Sequence, residues 1–106
     1  MMATTFRRGD LVVDTRQPSR ELPRLALVVS HDAINRVNLG LGVLWLTPFP
    51  RGNSLEVPVP ELAGQWVVLV DFWDRLPVQH ARWWGSVPTR VVREVQALLG
   101  VIMLEP

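Results

Sequence analysis

His31 is the side chain in this sequence best suited to moving protons near neutral pH, because an imidazole titrates there without help. Arg16, Arg20 and Arg51 stand in polar, Pro-rich stretches. A guanidinium on a loop can fork bidentately to a phosphate, so all three are candidate phosphate contacts. Phe49, set between Pro48 and Pro50, offers an aromatic face for an unstacked base or for a partner chain. Asp71 and Asp74 are too few to hold a hard metal ion without further ligands. The absence of Cys excludes disulfides, thiolate nucleophiles and Cys-ligated zinc, and two His, His31 and His80, do not make a His cage.

Charge is spread unevenly around these residues. All 11 basic residues are Arg, none is Lys, and the formal net charge is only +1. Residues 1–53 hold seven Arg against four acids, and residues 54–106 hold four Arg against six acids. An anionic partner would therefore favour the first half. Total charge alone does not argue for nucleic-acid binding.

The elements that must position these side chains are short strands followed by a helix. A chain of 106 residues with 48% hydrophobic content makes one domain over residues 1–106, with a real core. Leu11 to Asp14 reads as a first strand. Leu25 to Ser30 is an unbroken apolar run, which suits a central strand covered on both faces. Ser30 or Asp32 could cap a helical turn over Ala33 to Val37. Asn38 to Gly42 reads as a turn, and Val43 to Thr47 as a third strand stopped by Pro48 and Pro50. Ser54 to Val59 alternates apolar and polar residues, and Pro58 places that strand near an edge. Gln65 to Phe72 is a fifth, strongly apolar strand. Pro88 opens a helix whose Val91, Val92, Val95, Leu98, Leu99 and Ile102 share one face, with Arg90 and Glu94 paired on another. Gly100 could end it. Trp73, Trp83 and Trp84 are expected in the core, or else at an interface. The class is β-rich α+β, a small twisted sheet or open barrel with a terminal helix. No stretch reaches the ~20 apolar residues of a membrane span, and no targeting signal is read, so a cytoplasmic protein is expected.

Several residues, in order, resemble the MazF/PemK toxins of bacterial toxin–antitoxin systems. Arg8-Gly9-Asp10-Leu11-Val12 looks like that family's opening strand. Pro18, then Arg24 leading into Leu27-Val28-Val29-Ser30, continue the pattern. Asp32-Ala33-Ile34-Asn35-Arg36 looks like its Asp-x-x-Asn turn, and Thr47 ends the third strand where the family carries Thr or Ser. The strand around Glu56-Val57, Gly85 and the terminal helix complete a likeness that spans nearly the whole chain. The order of the motifs, with 23 residues from Arg24 to Thr47, gives it specificity. The loop from Pro18 to Arg24 is shorter than is usual in the family, Leu25 replaces its Pro, and Phe72 and Asp74 stand where it often has Gln and a basic residue.

The resemblance implies an SH3-like open barrel of antiparallel strands, with a short helix after the second strand and a C-terminal helix. It implies an endoribonuclease that needs no metal or cofactor and cuts single-stranded RNA by attack of a ribose 2′-oxygen. It assigns Arg24 a central catalytic role and Thr47 a hydrogen-bonding one. A guanidinium suits stabilisation of phosphate charge better than proton shuttling, because its pKa exceeds about 12. The implied partners are a second copy of the chain and a cognate antitoxin that is acidic and apolar. An alternative of the same fold resembles the CcdB gyrase poisons, in which Leu99-Gly100-Val101-Ile102 would bind protein and Arg24 would have no chemical role.

Overall fold

The structure is a computed structural model that describes residues 5–16, 22–32, 35 and 40–104, without the side chains of 103 and 104. Among the described residues, six strands form one antiparallel sheet: β1 (Asp10–Asp14), β2 (Leu25–Val28), β3 (Gly40–Thr47), β4 (Glu56–Pro58), β5 (Val67–Pro77) and β6 (Ala81–Ser86). Their spatial order is β4-β5-β3-β2-β1-β6, so the sheet is open and β4 and β6 are its edges. A 3₁₀ turn (Val78–His80) joins β5 to β6, and the helix α1 (Thr89–Leu104) follows.

Side chains alternate across a strand, and here both sides are filled. One face carries Leu11, Val13, Leu25, Leu27, Leu44, Leu46, Val68 and Val70, on which Val91 and Val95 of α1 pack. Burying each of those valines contributes roughly 1.5–3 kcal/mol before entropy is counted. The other face carries Val12, Ala26, Val28, Leu41, Val43 and Leu76, covered by Phe6 with Trp45, Val78 and Ala81. This two-sided burial is the reason that β2 reads as a continuous apolar run, with all four of its residues buried. Pro58 sits on the edge strand β4, where its missing N–H costs no ladder bond. Arg90 bonds Glu94 one turn on at 3.5 Å and Glu61 at 2.9 Å, tying the start of α1 to the segment before β5.

Five details differ from the sequence reading. Gly40 to Gly42 is strand, not turn. An added Cβ at Gly42 would come within 3.3 Å of Ser30 Cβ, so glycine there serves close packing between β3 and the end of β2. The fifth strand runs on to Pro77, and β6 is a sixth strand. Gly100 does not end α1, which continues to Leu104, and its φ is not among the positive ones that a left-handed cap requires. Trp73, Trp83 and Trp84 are exposed in the single chain, not in its core. The helical turn expected over Ala33 to Val37 lies mostly outside the described residues. Within it, the Asn35 N–H donates to His31 O at 3.0 Å.

One irregularity bears on function. Leu46 pairs with Val68 but Leu44 pairs with Trp73, so Leu69 to Phe72 of β5 all stand opposite the single residue Trp45 of β3. A bulge of this kind breaks alternation and re-aims side chains.

Candidate functional site

Arg24 and Thr47 meet through strand register. Ala26 faces Trp45 across β2 and β3. Carrying the same antiparallel pairing two residues outward sets Arg24 opposite Thr47 at one end of the sheet. Both fall on the face of Ala26, Val43 and Trp45, by alternation. β1 ends at the same place, where the Asp14 N–H donates to Arg24 O at 3.0 Å.

Asp14 is the fixed point of the site. Its side chain is 1% exposed and accepts hydrogen bonds from Arg16 Nε and Nη2, both at 3.0 Å. That paired guanidinium holds the Asp14 carboxyl below the usual carboxylate range, helped by the Arg16 N–H and by the nearby charge of Arg24, and burial opposes the shift. Arg24 Nε lies 3.8 Å from Asp14 Oδ2, an ion pair too long for a hydrogen bond, and the Arg24 side chain is 41% exposed. Its guanidinium carbon rests 4.1 Å from the centroid of the Trp45 ring. Charge pairing and the ring face together present a cation that still reaches solvent.

Thr47 opens onto a proline-flanked loop with a rigid anchor. Its Oγ1 accepts the Phe49 N–H at 3.2 Å, so its own hydrogen remains to donate elsewhere. The Glu56 carboxylate accepts the N–H groups of Arg51 at 2.9 Å, Gly52 at 2.7 Å and Asn53 at 3.2 Å. These amides lower the Glu56 pKa, the Arg51 bond contributing most. Gly52, with φ 80°, supplies the left-handed residue that lets consecutive N–H groups converge on one carboxylate. The loop thereby holds Phe49, 72% exposed, beside a cavity of about 400 Å³. Thr47, Phe49, Arg51, Asn53, Asp71 and Phe72 are among the residues that line it.

The structure thus brings Arg16, Arg24, Thr47, Phe49 and Arg51 to neighbouring strand ends and one loop. Arg20 lies outside the described residues. His31 follows the other end of β2, about seven strand residues or roughly 20 Å of extended chain from Arg24. The motif around it has a structural part to play. Asp32 accepts the Arg8 N–H at 2.8 Å, and buried Asn35 accepts the Ser30 hydroxyl and donates to Ser30 O at 3.1 Å. Ser30 Oγ in turn accepts the Gly42 N–H at 3.1 Å. Asp14 and Trp45 were not singled out from sequence. A carboxylate in step with buried Val12, at the end of an apolar strand, is the signal that could have marked Asp14. No helix among the described residues is long and apolar enough to cross a membrane.

The fold matches solved structures closely. MazF from Deinococcus radiodurans superposes with a TM-score of 0.81 at 28% identity, over 95% of this chain and 98% of that one. A MazE-MazF complex from the same organism gives a TM-score of 0.79 at 29% identity, over 94% and 97%. A mycobacterial endoribonuclease in complex with its cognate antitoxin gives 0.77 at 19% identity, over 98% of each chain, a likeness of fold alone. No protein-family model and no curated protein sequence matches the chain. The chain is therefore similar to MazF toxins in fold and, at 28% to 29% identity, in sequence across nearly its whole length.

Proposed function

We propose that this chain is the toxin of a toxin–antitoxin pair and a metal-independent endoribonuclease that cleaves single-stranded RNA at preferred sequences. The observation that carries this reading is Arg24. A guanidinium is held between buried Asp14 and Trp45, half open to solvent and in register with the Thr47 hydroxyl, in a chain similar to MazF.

In the reaction, the ribose 2′-oxygen attacks the adjacent phosphorus. The O2′–P bond forms, the P–O5′ bond breaks, and the products carry a 2′,3′-cyclic phosphate and a 5′-hydroxyl. Charge builds on the non-bridging oxygens as the phosphorus becomes five-coordinate. Arg24 stabilises that charge, and Thr47 donates its hydroxyl hydrogen to a phosphate oxygen. The 2′-hydroxyl proton leaves to solvent and the 5′-oxygen takes one from solvent, because a guanidinium does not shuttle protons at neutral pH. Arg16 and Arg51 hold flanking phosphates.

Partner binding belongs to the same reading. Trp73, Trp83 and Trp84 are large, apolar and exposed, the kind of residue that anchors an interface. They serve a second copy of the chain and an antitoxin segment. The second reading, a CcdB-like gyrase poison, draws on the exposure of Val101 and Ile102 near the end of α1.

One assay separates the two. Purified protein is incubated with mixed RNA in EDTA, beside Arg24→Ala. Cleavage by the parent, lowered about 10²-fold or more in the variant, is expected from loss of a principal charge-stabilising group. Intact RNA with both proteins overturns the nuclease and leaves the gyrase reading.

A further inference from the structure

We infer that the cavity beside Thr47 is a base-reading pocket that takes guanine, an inference that rests on RNA being the substrate. The bulge in β5 makes it. Asp71 and Phe72 are consecutive residues and would point to opposite faces of a regular strand. With Leu69 to Phe72 set against Trp45 alone, both line the same cavity as Thr47 and Phe49. A space of about 400 Å³ is enough for a base with its sugar.

The lining has the parts that a splayed-out base requires. Phe49 and Phe72 are 72% and 54% exposed, two aromatic faces turned to water beside one cavity. Single-stranded RNA is read by stacking its bases on such rings and bonding their Watson–Crick edges. Of the two carboxylates in the lining, Glu56 is taken up by the loop amides of Arg51, Gly52 and Asn53, whereas Asp71 is exposed. A carboxylate only accepts, through two adjacent oxygens. Guanine offers two adjacent donors, N1–H and the N2 amino group. Adenine, cytosine and uracil each set a lone pair beside a single donor on that edge, which a carboxylate repels. Asn53 completes the match. Its Oδ1 accepts the Leu55 N–H at 2.9 Å, so its amide NH₂ is left to donate to guanine O6. Arg51 on the rim then meets the phosphate of the same or the next nucleotide.

The test uses the whole protein and four probes, 5′-GMP, 5′-AMP, 5′-CMP and 5′-UMP, titrated separately while backbone amide resonances are followed by NMR. GMP is expected to shift Asn53, Asp71 and Phe72 with an affinity about tenfold above the other three, the lower end for a bidentate contact. Asp71→Asn presents a donor beside an acceptor, and should abolish the preference for GMP over the other three. Phe72→Leu should weaken all four nucleotides alike. Equal affinities in the parent, shifts confined to another surface, or a guanine preference that survives Asp71→Asn each overturn the inference. GMP bound as expected by a protein that leaves RNA intact overturns the nuclease reading and not the pocket. Cleaved RNA without GMP selectivity does the reverse.

Discussion

Replacing Trp45 with leucine removes the ring under the Arg24 guanidinium and leaves an apolar side chain in the cluster it covers. Arg24 is held by two restraints, the ring face at 4.1 Å and the Asp14 carboxylate at 3.8 Å. A cation over a ring at this half-exposed position is worth ~0.5–1 kcal/mol. Losing it shifts the balance between Arg24 in place and out of place by roughly twofold to fivefold, which is the upper bound on the fall in rate, since 1.4 kcal/mol is a factor of ten. The fall belongs in kcat, because Arg24 acts on charge that develops during reaction, and KM should move less. Trp45→Phe retains a weaker π face and should fall between parent and leucine. Single-turnover cleavage of a fluorescent RNA measures the three proteins, with urea unfolding alongside to confirm that each is folded. Full activity in Trp45→Leu, or equal losses in the Phe and Leu variants, refutes the idea that the ring positions Arg24.

Two further outcomes follow from the charges around the site. The Asp14 pKa is lowered in the folded chain, chiefly by its bonds to Arg16, so Asp14 adds stability that is fully present above the ordinary carboxylate value of about 3.9 and is lost as pH falls through the lower folded value. Urea midpoints should therefore drop more steeply below about pH 4 in the parent than in Asp14→Asn, and parallel curves would remove Asp14 from the acid transition. Arg16→Ala and Arg51→Ala should each make log affinity for single-stranded RNA less dependent on log salt by about 0.7, the value of one neutralised phosphate on a single strand. An unchanged slope assigns Arg51 to the solvated surface, or leaves Arg16 only as the partner of Asp14.

The sequence was most legible where one physical cause acted alone. An uninterrupted apolar run marked β2 because both its faces are covered, Pro58 marked an edge, and the valines of α1 marked its buried side. Glycine misled twice. Gly42 lies close to Ser30 within a strand and not in a turn, and Gly100 keeps a helical backbone to which the rest of α1 is committed. β6 was missed because its Arg-Trp-Trp stretch is exposed on an edge, so it shows neither alternation nor a hydrophobic run. Arg24 and Thr47 were reached only through family likeness, since the register that joins them is a long-range fact of β2 and β3. Asp71 and Phe72 could not be paired from sequence at all, because the bulge that gathers them cancels the period-two rule by which strand faces are read.

The chemistry of the cut ends tests the proposed activity most directly. A short RNA digested in EDTA is analysed by mass spectrometry, beside the same RNA with a deoxyribose at the cleaved nucleotide. A 2′,3′-cyclic phosphate with a 5′-hydroxyl on the partner fragment, and no cut in the deoxy substrate, are the expected results. A 3′-hydroxyl with a 5′-phosphate, or cleavage of the deoxy substrate, would contradict attack by the 2′-oxygen and the role given to Arg24.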